Sequence, residues 1–397
     1  MNESFSATST TSHRDAGQLT FAPGLENVVA ARTRLSHVEG KSGELIIAGF
    51  PLEEIAPRAS FEEMVYLLWH DALPDVAALA EFRHALLAER TLAPATWQVL
   101  EAAASQNVPP MDALRMAAGT LNIQAHDGDL LRQGVGILAR LPIIVAAYKR
   151  MLEQQSPVEP RDDLDHAANY LYMLWGRAPD AAQSRALETY LNTVVDHGLN
   201  ASTFTARVII STGSDLVSAV VGAIGALKGP LHGGAPGPAL EMVFEIGHPS
   251  RAEAYMRGKL ERKERLMGFG HRVYRARDPR ADVLAAAADT LYRNGGDLQL
   301  YALAKSVEQI ALRLLAEYHP ERKLQTNVEF YTALLLHGLG LAAPLFTPTF
   351  TIGRAAGWIA HAVEQKQQNR LIRPQSEYVG SRGRKWENLE DRVWLKG

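Results

Sequence analysis

Apolar residues recur along most of the chain at the three- and four-residue spacing of amphipathic helices. One short region departs from this. Arg34 to Val38 and Glu44 to Ile47 flank the turn-forming run Glu39 to Gly43 and predict a single β-hairpin. Ser60 and Glu63 form a capping-box pattern that opens a helix from Phe61 to His70, with Met64, Leu67 and Leu68 on one face. Asp180 caps a helix whose apolar stripe is Leu187, Tyr190, Leu191, Val194 and Val195, and Gly198 is its expected stop. Ala281 to Tyr292 and Ala302 to Tyr318 repeat the pattern. Leu216 to Leu227 is different, because Ser218, Ala219, Gly222, Ala223, Gly225 and Ala226 leave little bulk. That segment is expected to be buried among helices or at a subunit contact, ending at Gly229-Pro230. No strand–helix alternation argues for a Rossmann or barrel enzyme, and no long internal repeat argues for a solenoid. The prediction is an all-α, multihelical chain with a short N-terminal hairpin.

Composition narrows the chemistry. The 397 residues are 47% hydrophobic, enough for large cores, and at ~150 residues per domain two or three domains are expected. With 41 Lys plus Arg against 44 Asp plus Glu, the chain lacks the basic excess of a general nucleic-acid binder, although a local cationic pocket remains compatible. Cysteine is absent, which excludes disulfides, Cys-based zinc sites, Fe–S clusters and a thiol nucleophile and is compatible with a cytoplasmic location. No run reaches the roughly 18 uncharged apolar residues of a membrane span, and the most apolar stretch, Leu334 to Val363, is interrupted by His337, Pro344, Pro348, Arg354 and His361. The Ser/Thr-rich first twenty residues lack the apolar core of a secretory signal and read as a disordered tail.

Three segments concentrate Gly, His and charge. In Lys228 to Pro238, glycines and prolines shape a loop that ends ahead of a helical segment, Ala239 to Ile246. A histidine at a helix N-terminus stays neutral, so His232 is a candidate hydrogen-bond donor; the competing reading is a surface His on an ordinary turn. In Met267 to Arg280, Gly268 and Gly270 let backbone approach a ligand beside His271, and four arginines fall within nine residues. Guanidinium forks suit carboxylates and phosphates, whereas the competing reading is a solvated basic loop. In Thr326 to Tyr331, Glu329 enters an apolar run, where desolvation raises a carboxyl toward general-base range; the commoner case is a helix N-terminal Glu favoured by the dipole. His197 could equally be a helix cap, and Arg354 and Arg373 could be surface residues. His361-x-x-Glu364 has helical spacing for two metal ligands, but no third ligand is near and no metal is expected.

These segments, in this order, resemble the citrate synthase family over about Gly24 to Gly380. The likeness rests on Gly229-Pro230-Leu231-His232-Gly233-Gly234-Ala235, on Gly268 to Tyr274 with Asp278-Pro279-Arg280, and on Asn327-Val328-Glu329-Phe330-Tyr331. The opening Gly24-Leu25-Glu26-Asn27-Val28-Val29 is similar to the short bacterial form. The resemblance implies a two-domain helical subunit, a homodimer with shared active sites, and oxaloacetate and an acyl-CoA as substrates with no further cofactor. Its division would be a tail at 1–22, a large domain at 23–232 and 337–397, and a small domain at 233–336.

The resemblance further implies that His232 hydrogen-bonds the thioester oxygen as the enol forms and that His271 polarises and protonates the ketone. His197, Arg280 and Arg354 would hold oxaloacetate, Arg373 would be supplied across the dimer, and Arg275 would contact coenzyme A phosphates. Glu329 would be the base, a departure from the commoner Asp that adds one methylene. Acetyl-CoA is the first expectation and propionyl-CoA, giving 2-methylcitrate, the second; one methylene discriminates by only about 1–3 kcal/mol. A non-catalytic helical interaction protein is the reading from a different class, opposed by the joint presence of both histidines, the carboxylate and the arginines.

Overall fold

In the computed structural model, residues 21–124, 128–233, 236–271, 274 and 276–392 are described; the expected tail falls almost wholly outside them. Residues 33–372 form one compact unit, and 1–32 with 373–397 form another. In the latter, the described segments are mostly extended, with short helical turns at Pro23–Leu25 and Leu389–Asp391. They expose Val29, Val379 and Trp386.

The larger unit begins with a three-stranded antiparallel sheet, Ser36–Glu39, Glu44–Ile47 and Phe50–Pro51. Ser36 pairs with Ile47 and Glu39 with Glu44, and Leu45 and Ile47 enter the core. The first strand starts later than predicted because Arg34 serves elsewhere. Its amide donates to Glu364 and its guanidinium to Leu68 O, tying the chain to two helices.

Everything that follows is helical, with sixteen α-helices among the described residues. Phe61–His70 forms as predicted, with both halves of the capping box and Met64, Leu67 and Leu68 buried. Pro279–Arg293 and Leu298–Tyr318 start earlier than their apolar stripes. The reason is capping: Asp278 accepts from Arg280 N, and Asp297 from Gln299 N and Leu300 N. Ala181–Val194 is capped by Asp180 but ends before Gly198. Val194 O is taken by the Arg354 side chain instead, and the chain turns through Asp196 and His197.

The helix Phe346–Gln367 runs through the core, packing on Leu130–Leu152, Ala181–Val194, Ala201–Ser211 and Leu216–Leu227. Its closest approach to the end of Ala181–Val194 depends on two glycines one turn apart. A Cβ at Gly353 would lie 3.0 Å from Leu191 O, and one at Gly357 only 2.2 Å from Val195 O. Pro279–Arg293 and Val328–Gly338 pack on each other and on the same Ala181–Val194 helix. That shared helix therefore brings the second and third sequence motifs beside the 194–198 turn.

By length and composition Leu130–Leu152 could cross a membrane, as could the bent pair Val328–Gly338 and Ala343–Gln367 taken together. Most of Leu130–Leu152 is instead buried by other helices, and its Arg140 pairs with Glu89 inside the protein.

Candidate active site

A strand-like clip joins the second and third motifs. Asn327 N–H donates to Gly268 O (3.0 Å), its side chain to Gly270 O (2.8 Å), and Gly270 N–H to Gln325 O (2.7 Å). Gly268 and Gly270 hold φ of +86° and +80°, which side-chain-bearing residues rarely adopt. The clip sets His271 beside the start of Val328–Gly338, where the Asn327 side chain accepts from Glu329 N (3.0 Å).

Asp278 completes this wall. It accepts two bonds from the Arg280 guanidinium, at 3.0 and 2.9 Å, and another from Val328 N at 3.2 Å. Burial alone would raise its carboxyl, but Arg280 and His271 hold it below the usual carboxylate range.

His271 Nδ1 accepts from Tyr274 N–H at 3.0 Å. Burial, reinforced by Arg280, lowers this imidazole to about 4 and keeps it neutral near pH 7. Nε2 lies 3.2 Å from Arg280 Nη2. A guanidinium only donates, so both ring nitrogens of His271 face donors, and an anionic or carbonyl oxygen that engages Arg280 would compete for that bond. His197 adjoins them, its Nε2 3.1 Å from Tyr274 Oη and its ring centroid 5.9 Å from that of His271. Burial, then the nearby Arg280 and Arg354 charges, holds His197 well below its ordinary range.

The first motif contributes His232 from a turn closed by its N–H to Gly229 O (2.9 Å). Ser202 N–H, in the first turn of Ala201–Ser211, donates to His232 Nε2 at 3.3 Å, and Ser202 Oγ is 2.8 Å away. The helix terminus that holds this ring is thus Ala201–Ser211, not the expected helix after it. That later helix spans Pro236–Ile246. Because Nε2 accepts a backbone N–H, the neutral ring carries its proton on Nδ1. Burial first, then Arg354, lowers His232 to about 4.

Arg354 is 2% exposed, with Nε on Val194 O and its guanidinium 4.8 Å from the Phe350 ring centroid. The surface reading is overturned, since the Gly353 and Gly357 contacts draw this face of the helix into the core. No carboxylate lies within ion-pair distance among the described residues. Burial lowers it to about 10, which still leaves it charged at neutral pH.

Glu329 occupies a first helical turn, as the commoner reading held, yet burial outweighs that position. Desolvation lifts its carboxyl to about 7, with Asp278 adding and Arg280 and Arg354 opposing. The structure therefore brings His197, His271 and Arg280 into contact range and puts Glu329, His232 and Arg354 in the same electrostatic neighbourhood. Arg373 is an exposed residue of the other compact unit, and Arg275 lies outside the described residues. Sequence reasoning assigned no role to Asp278, Tyr274, Ser202 or Asn327. Asp278 and Asn327 had a signal, each standing just ahead of a helix as an N-cap; Ser202 had none short of the fold. Among the described residues no cluster of three or more His, Asp or Glu could hold a metal.

A family profile described as "Citrate synthase, C-terminal domain" matches residues 24–375. Citrate synthase 2 of Bacillus subtilis is 40% identical over 381 residues, covering 94% of this chain and all of that protein. The 2-methylcitrate synthase of Shewanella oneidensis is 37% identical, covering 94% of this chain and 98% of its own. Citrate synthase of Thermoplasma acidophilum, solved as a ternary complex with carboxymethyl coenzyme A and oxaloacetate, superposes with a TM-score of 0.85 at 27% identity, covering 94% of this chain and 100% of that one. The chain belongs to the citrate synthase family, acyltransferases that condense acetyl-CoA with oxaloacetate.

Proposed function

We propose that the residues gathered here carry out that condensation in this chain. Glu329 takes an α-proton from the acyl-CoA, and the Nδ1–H of neutral His232 stabilises the enolate oxygen. The nucleophilic carbon attacks the oxaloacetate ketone, whose oxygen faces His271 and Arg280. Arg354 and His197 hold the carboxylates. Water then cleaves the new thioester, releasing citrate and the coenzyme A thiol. The observation that carries this reading is the convergence of His271, Arg280 and His197 around the turn that also seats Glu329, whose carboxyl burial lifts to about 7. Such a base is available at neutral pH and stronger than an ordinary carboxylate.

The domain division at 233 and 336, closure of the small domain over the site, and a homodimer in which Arg373 completes a neighbouring site belong to the same proposal. So does contact of Arg275 with coenzyme A phosphates. Exposed Val379 and Trp386 support a second copy as the covering surface. Propionyl-CoA is the second substrate reading, favoured by the 2-methylcitrate synthase relatives. Following thiol release with oxaloacetate plus acetyl-CoA or propionyl-CoA tests both; no release with either removes the proposed reaction.

A further inference from the structure

The helical pair His361-x-x-Glu364 takes no part in the proposed chemistry, yet it lies within a buried chain of polar contacts that ends on both sides of His197. Glu364 Oε2 accepts from Arg207 Nη1 at 2.6 Å, and Arg207 Nε donates to Gln365 Oε1 at 3.1 Å. Arg207 Nη1 is 2.9 Å from His361 Nδ1, and His361 Nε2 is 3.1 Å from Asp196 Oδ1. Ser36 Oγ donates to Asp196 Oδ2 at 2.5 Å and itself accepts from Gly198 N–H at 2.8 Å.

The proton positions in this chain are dictated by its ends. A guanidinium only donates, so His361 Nδ1 must accept and its proton sits on Nε2, directed at Asp196. Asp196 and His361 are both fully buried, and Arg207 is 4% exposed, so water does not compete for these bonds. Asp196 stays ionised although burial opposes it, because His361, Arg354 and Ser36 favour the carboxylate. Both residues flanking His197 are therefore held, Asp196 by His361 of the Phe346–Gln367 helix and by Ser36, and Gly198 by Ser36 of the first strand. Only the ring between them faces Tyr274 and His271.

We propose that Asp196, His361 and Ser36 are positioning residues that set the orientation of the His197 ring. What His197 then binds rests on the function proposed above; its orientation does not. The test uses the full chain labelled with 15N at histidine, with the His197 signal assigned through His197→Asn. His361→Gln retains an acceptor for Arg207 and a donor for Asp196, whereas His361→Leu retains neither. The ring-nitrogen shifts of His197 are expected to match the parent in His361→Gln and to move or broaden in His361→Leu. Calorimetric oxaloacetate affinity should fall roughly tenfold in His361→Leu, the loss of about one hydrogen bond, with rescue in His361→Gln. Ser36→Ala removes only the hydroxyl that joins Asp196 to Gly198 and makes the same test should His361→Leu not fold. A folded His361→Leu or Ser36→Ala with unchanged His197 signals overturns the proposal. Displaced His197 signals in a protein whose parent binds no oxaloacetate sustain the positioning role and refute the substrate reading instead.

Discussion

Two arginines are buried at this site under opposite conditions. Arg280 is 5% exposed and doubly bonded to Asp278, which also accepts from Val328 N. Arg354 is 2% exposed and has a backbone carbonyl and a ring but no carboxylate among the described residues. The walls around them differ in the same way. Tyr190 Oη, a buried polar atom without a partner among the described residues, lies in the field of Arg354. No such atom falls between Gly268 and Arg280 among the described residues. A satisfied wall holds its shape without ligand. An unsatisfied one keeps charge and hydrogen-bonding capacity for something that arrives, at a cost to the unliganded fold.

Glu329 feels both arginines and gives the largest expected effect. Glu329→Gln preserves size and removes basicity, so turnover should drop by ~10²–10⁴, the usual contribution of a positioned base. Acid should inhibit the parent as pH falls through about 7, where Glu329 becomes protonated. Stability should respond in the opposite sense. The folded pKa is raised above the unfolded one, so the folded state binds the extra proton and loses stability as pH rises from the ordinary Glu range through about 7. Glu329→Gln should therefore be more stable than the parent at pH 8, by at most ~3 kcal/mol, and equal to it near pH 4. Denaturant titrations at the two pH values check this; a variant less stable at pH 8 would show that ionised Glu329 is well accommodated.

The same substitution at the two arginines separates the walls directly. Arg280→Met strands Asp278, which is 1% exposed, and should destabilise by about 3–5 kcal/mol. Arg354→Met removes a charge that has no carboxylate within ion-pair distance among the described residues and is felt only at longer range by Asp196 and Glu329, so it should destabilise less than Arg280→Met. Its effect belongs to binding, where losing a charged hydrogen bond of about 1.5–3 kcal/mol should weaken oxaloacetate roughly 10- to 150-fold by calorimetry. Equal destabilisation by both substitutions would mean that Arg354 has an unseen counter-charge.

The contrast between the walls marks where sequence reasoning stopped. The cap at Ser60, the helix Leu216–Leu227, the two glycine-rich motifs and the Asn327 to Tyr331 motif were legible because each is a local pattern. The raised carboxyl of Glu329 was legible too, since an apolar run follows it in sequence. Arg354 was not, because its burial depends on Gly353 and Gly357 meeting a helix far away in sequence, with Arg354 Nε on Val194 O 160 positions earlier. His232 was assigned to the helix that follows it in sequence, whereas Ser202, thirty positions earlier, supplies the amide. Gly198 was taken for a helix stop when its N–H is engaged by Ser36 across the fold.

The smallest effect tests whether the unsatisfied wall is costly in itself. Tyr190 is fully buried, and its hydroxyl has no partner among the described residues. A buried hydroxyl left unpaired costs about 1–3 kcal/mol in desolvation, while its ring contributes packing that phenylalanine preserves. Tyr190→Phe should thus stabilise the unliganded protein by about 1 kcal/mol, a rise of roughly 2 °C for a chain of this size. The gain should shrink when oxaloacetate is present if the hydroxyl acquires a partner in the liganded site. Melting the parent and variant with and without oxaloacetate distinguishes the cases. A destabilised variant would show that the hydroxyl is already paired, through an ordered water for example, and that the Arg354 wall is less strained than its protein contacts alone indicate.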